Sequence, residues 1–142
     1  MVYKLYEFVN NKMIGLFIAS LFGTLILVRI GAHKLHDTET YSQFSPRNSK
    51  ARTITGWLRR KTGFDWHHIH FGIVILIITL ILIYLNGLNN PNTILLGIGL
   101  SMVADQITPL IDRKSNYFSQ EKLMLSIIFH IIIAIIAVIF IS

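Results

Sequence analysis

Four apolar runs constrain this chain more than any other feature of its sequence. They cover residues 13–31, 71–85, 93–111 and 123–141. A helix needs about 20 mostly apolar residues to cross the hydrocarbon core of a bilayer, and about 17 still suffice. The second run reaches this length if its helix covers residues 66–88. Because a backbone in lipid must satisfy its own hydrogen bonds, the runs predict an all-α integral membrane protein, an antiparallel bundle of four transmembrane helices.

The overall composition supports a membrane location. Only 14% of the residues are charged and 53% are hydrophobic, whereas soluble domains carry about a quarter charged residues. With 142 residues, the chain is expected to form a single membrane domain. It contains no cysteine, which excludes disulfides, thiolate metal sites and thiol catalysis.

Basic residues are concentrated in two of the connections between the apolar runs. The connection over residues 32–65 and the one between the third and fourth runs hold ten of the 13 Lys and Arg residues, against Lys4 and Lys12 on the other side. The positive-inside rule therefore predicts cytoplasmic basic connections and both termini outside the cell membrane. The net charge of +6 is attributed to this topology and to anionic lipid headgroups, rather than to nucleic-acid binding.

Part of the long basic connection has a helical period. Between residues 51 and 58 the apolar side chains recur at helical spacing among basic ones, which suits a short amphipathic helix in the headgroup layer. A basic loop that only fixes topology fits the same residues. The side chains predicted to contact lipid headgroups are Arg29, Arg59, Arg60 and Trp57.

Histidines and carboxylates gather at the predicted cytoplasmic face. The six histidines occur at the end of the first run, at the start of the second and about two turns into the fourth. Asp105 is the strongest single candidate, because an ionisable residue inside a span is costly unless it is paired or functional. Imidazoles and a carboxylate on several helices resemble bundle-core metal sites and suit zinc, iron or copper. The predicted metal ligands are His67, His70, Asp105 and His130, with His33 and His36 in reserve.

Helical spacing places several of these residues on shared faces. Ser101 and Asp105 share a face of the third run, and Ser126 and His130 share a face of the fourth. The face of the fourth run continues with small residues, as is typical of an inward-facing side of a membrane helix. The same residues can equally form a structural contact between helices, for example between Asp105 and Arg29 or between Asp105 and a histidine.

Two short motifs carry a resemblance to known proteins. The sequence HHIHFG at residues 67–72, and GIG at residues 97–99 followed by DQ at 105–106, resemble motifs of small prokaryotic multipass proteins of unassigned function. A more distant similarity, in layout alone, is to membrane di-iron desaturases and hydroxylases, whose histidines lie near the cytoplasmic ends of four helices. The present chain has no HxxHH element and fewer histidines than their usual set, so the similarity implies no eight-histidine di-iron site.

Two functions of different classes follow from these patterns. The first is a metal-dependent enzyme that acts on a lipid or another membrane-borne substrate at the cytoplasmic interface, with Glu121 or Asp112 as general base. The second is a non-catalytic membrane subunit of a larger complex, for example of a respiratory or oxidase type, in which the polar cluster positions the helices.

Three further possibilities remain open from the sequence. Haem ligation by two histidines, such as His70 and His130, is one. Proton or ion transport through the region of Asp105 and His130 is another, although the outer half of the bundle offers few polar residues. A homo-oligomer is also possible, through the small residues of the first run.

Overall fold

The computed structural model describes residues 2–35, 61, 68–111 and 119–141 of the chain. The described residues form four α-helices: α1 (Val2–Leu35), α2 (His68–Asn86), α3 (Asn90–Ile111) and α4 (Gln120–Ile141). The prediction of an all-helical fold is confirmed. Each helix contains one of the apolar runs, and α1 begins 11 residues before its run.

Among the described residues, three helices are long and apolar enough to cross a membrane. These stretches are Asn11–Ala32 within α1, His68–Asn86 and Gln120–Phe140. Large apolar side chains cover the outer faces of α2 and α4, including Ile77, Ile81, Ile132 and Ile136, each of which is about half exposed in the isolated chain. Such a surface is what a lipid-facing helix presents.

The turn between α2 and α3 is closed by its own polar groups. Gly87 has φ of 70°, a conformation that favours glycine, and its N–H donates to the Ile83 carbonyl over 2.8 Å. Asn89 caps α3, because its side-chain oxygen accepts from the Asn92 N–H over 3.0 Å. The Asn92 amide group donates back to the Gly87 carbonyl, also over 3.0 Å. The turn therefore fixes the geometry of the α2–α3 hairpin.

Helix α3 lies at the centre of the described bundle. It packs against α1, α2 and α4, and α1 also packs against α4, whereas α2 packs only against α3 among the described helices. Contacts along α3 give the directions of its neighbours: Gly72 lies near Met102 and Leu76 near Gly99, so α2 runs antiparallel to α3. Gly97 lies near Phe17 and Asp105 near Arg29, so α1 runs parallel to α3. Asp105 lies near Ser126 and Ser101 near His130, so α4 runs antiparallel to α3. The ends of α1 and α3 and the starts of α2 and α4 therefore lie together, away from the α2–α3 turn.

Glycines allow α3 to approach two neighbours closely. A Cβ atom added to Gly97 would collide with Ser20 and lie 2.9 Å from the Phe17 carbonyl of α1. A Cβ added to Gly99 would lie 2.9 Å from the Leu76 side chain and 3.2 Å from the Gly72 carbonyl of α2. Gly72 and Gly99, one from each of the two motifs, thus meet at the α2–α3 contact, whereas Gly97 packs against α1.

Candidate functional site

Buried polar side chains lie between α1, α3 and α4, at the end of the bundle remote from the α2–α3 turn. Ser101 and Asp105 come from α3, and Ser126 and His130 come from α4; all four side chains are almost completely buried. Gln106 and Lys122 are buried at the same end. Polar groups in such an environment are stable only when they are hydrogen-bonded or paired.

The carboxylate of Asp105 is paired with the guanidinium of Arg29. Arg29 Nε donates to Asp105 Oδ1 over 2.8 Å, and Nη2 lies 2.7 Å from the same oxygen. The Ser126 hydroxyl also donates to Asp105 Oδ1, over 2.9 Å. This ion pair joins α1 to α3, and the serine joins both to α4. The buried negative charge is therefore compensated by a cation from α1 and stabilised by a hydrogen bond from α4.

His130 uses both ring nitrogens within the chain. Its Nδ1 lies 2.7 Å from the Ser126 carbonyl oxygen, and its Nε2 lies 2.9 Å from Ser101 Oγ. A carbonyl oxygen can only accept, so Nδ1 must carry a proton, and in the neutral ring Nε2 accepts from the Ser101 hydroxyl. The Phe22 ring of α1 packs against the imidazole, with 5.9 Å between ring centroids. For the neutral ring, the contacts thus define a single tautomer.

Ser126 connects these two sets of contacts. Its hydroxyl bonds to Asp105 and its carbonyl oxygen bonds to His130. The five residues form one continuous chain of interactions across three helices, which we call the polar network: Arg29, Asp105, Ser126, His130 and Ser101.

The predicted metal ligands are brought together only in part. Asp105 and His130 belong to the same network, but they are linked through Ser126. His70 lies near the start of α2, which packs against α3. Within the described part of the chain, no group of three or more His, Asp or Glu residues could hold a metal ion. The structure does not describe three of the predicted ligand side chains: His33, His36 and His67. The full predicted ligand set therefore stays a prediction.

The other predicted site residues have varied surroundings. Glu121, a predicted general base, is exposed in the first turn of α4. Arg29, predicted to contact lipid headgroups, makes its ion pair with Asp105. The remaining predicted base and headgroup residues lie outside the described residues: Asp112, Arg59, Arg60 and Trp57.

Two buried residues at this end of the bundle were not predicted as site residues. Lys122 and Gln106 are both at most 5% exposed. A signal for Lys122 was present, since it stands four residues before Ser126 and eight before His130 on one face of α4. For Gln106 the signal was its place beside Asp105 inside an apolar run.

Comparisons with known proteins give no further assignment. No protein-family model, no curated protein and no solved structure matches the chain. The resemblance to small prokaryotic multipass proteins therefore stays a prediction.

Proposed function

We propose that this chain is a four-span protein of the cell membrane that serves as a non-catalytic subunit, with the polar network holding α1, α3 and α4 in place. The observation that carries the proposal is that the network groups are engaged with one another. Arg29 compensates the charge of Asp105, and both ring nitrogens of His130 are bonded within the chain. In lipid, where apolar contact gives helices little preference for one another, interhelical polar contacts and close packing hold a bundle together.

The four-span topology is supported by the geometry of α3. At 22 residues, α3 has a length of about 33 Å, enough to cross the hydrocarbon core. It carries more polar residues than α2 or α4. Its central position lets most of them face protein instead of lipid, since five are buried: Asn92, Thr93, Ser101, Asp105 and Gln106. With the basic connections in the cytoplasm, both termini lie outside.

The partners of such a subunit are membrane lipids and a larger membrane complex. The apolar outer faces of α2 and α4 suit lipid tails or other apolar helices. The basic connections suit anionic headgroups, which attract clustered Lys and Arg residues. A respiratory or oxidase-type assembly is one setting for a chain of this kind, and a homo-oligomer is another.

Mild-detergent purification tests the subunit proposal. Membranes are treated with a short crosslinker, the tagged full chain is purified, and the co-purified proteins are quantified against a sample without crosslinker. We expect defined membrane proteins in near-stoichiometric amounts in both samples, and little bound metal. Recovery of the chain alone, with one equivalent of a transition metal, would contradict the proposal.

A metal-dependent enzyme is the second candidate. It is favoured by one observation: the start of α2, with His68 and His70, lies at the same end of the bundle as Asp105 and His130. The ligands would come from His67, His70, Asp105 and His130, with His33 and His36 in reserve, and the metal would be zinc, iron or copper. Metal binding at His130 would require Ser101 or the Ser126 carbonyl to release a ring nitrogen.

Elemental analysis together with an absorption spectrum separates the two candidates. The enzyme candidate requires about one equivalent of metal, and the metal must be lost when Asp105→Ala and His130→Ala are combined. Thr79→Val is the matched control, because Thr79 is a buried polar residue of α2 whose hydroxyl bonds only to its own helix at Ile75 in the described contacts. A Soret band in the same spectrum would instead indicate haem.

A further inference from the structure

We draw no further inference here: the strongest candidate, the small-residue face of α1 formed by Gly15, Ala19 and Gly23, has open space in front of its two glycines, and nothing in the structure shows what covers it.

Discussion

At the scale of single residues, each buried charged side chain of the polar network depends on its partner for its stability. Arg29 is 12% exposed and Asp105 only 1%, so removing one member leaves the other charged in a poorly solvated position. Such an imbalance generally costs more than the intact pair contributes, because much of the cost is the desolvation of the remaining charge. The contribution of each residue to the free energy of unfolding therefore has to be measured together with that of its partner.

A double-mutant cycle on the ion pair tests this dependence. Arg29→Leu leaves the Asp105 carboxylate without its guanidinium, and we expect a loss of roughly 3–5 kcal/mol of stability. Adding Asp105→Asn removes the charge and keeps an oxygen for the Ser126 hydroxyl, so part of the loss should be recovered. We expect a coupling of about 1–3 kcal/mol, measured by denaturation in detergent micelles.

The control for that cycle is Lys12→Leu, which removes an exposed cation from the same helix. It should change stability by less than about 0.5 kcal/mol, as is usual for surface substitutions. If Arg29→Leu and Asp105→Asn were simply additive, the ion pair would have no energetic role.

The tautomer of His130 gives a second prediction at this scale. We expect nitrogen NMR of the purified protein to show a proton on Nδ1 and none on Nε2, because Nδ1 faces a carbonyl oxygen. Ser101→Ala removes the hydroxyl that bonds to Nε2 and should cost about 1–3 kcal/mol, as for other buried polar groups left unsatisfied. A spectrum with the proton on Nε2 alone would contradict the described contacts, because Nδ1 would then have no proton to donate to the Ser126 carbonyl oxygen.

At the scale of helices, the sequence predicted where the helices lie along the chain better than it predicted which helices pack against one another. The apolar runs at residues 13–31, 93–111 and 123–141 each lie inside a helix, because run length and the need to satisfy the backbone decide secondary structure locally. The central place of α3 could not be predicted, since it depends on which faces approach closely. The spacing of Gly97 and Gly99 indicated part of this arrangement. Residues two apart in a helix point about 200° apart, and in the structure Gly97 faces α1 while Gly99 faces α2.

For the candidate site, too, the sequence predicted which residues share a helix face but not which contacts they make between helices. Helical spacing grouped Ser101 with Asp105 and Ser126 with His130 before any contact was known, because residues four apart share a helix face. The choice between a metal site and an interhelical contact was beyond the sequence, because it depends on atomic distances between helices. Arg29 was named both as a headgroup contact and as a partner for Asp105, and only the geometry pairs it with Asp105 at 2.7 Å.

Alanine substitutions at glycines test the helix contacts. Gly97→Ala should be the most disruptive, because its new Cβ would meet Ser20 and the backbone of α1. Gly99→Ala should also destabilise, since the Leu76 side chain and the Gly72 carbonyl stand within about 3 Å of the added atom. Overpacking of this kind typically costs about 1–3 kcal/mol, and thermal unfolding in detergent measures it.

Gly15 and Gly23 of α1 are the matched controls for these variants. No atom lies within 4 Å of a Cβ built at either position. Alanine there should leave stability unchanged or raise it by about 0.5–1 kcal/mol, because alanine favours the helix over glycine. Equal losses at Gly15 and Gly97 would show that glycine itself, and not the α1–α3 contact, is what matters.

At the scale of the whole molecule, the helix directions and the membrane orientation are separate questions. The contacts of α3 fix an alternating order of helix directions among the described residues. Orientation depends instead on the basic connections, which act during insertion. An experiment on sidedness can therefore test the four-span proposal without any assumption about the polar network.

The absence of cysteine in the natural chain makes this experiment direct. Leu88→Cys places a single thiol in the α2–α3 turn, and Gln120→Cys places one at the exposed start of α4. If α3 crosses the membrane, the two positions lie on opposite sides. A membrane-impermeant maleimide added to intact cells should label Leu88→Cys and leave Gln120→Cys unlabelled until the cells are opened, because the positive-inside rule predicts a cytoplasmic location for the basic segment before α4. Labelling of both positions from outside would mean that α3 does not span, whereas a reversed pattern would keep four spans and overturn only the orientation.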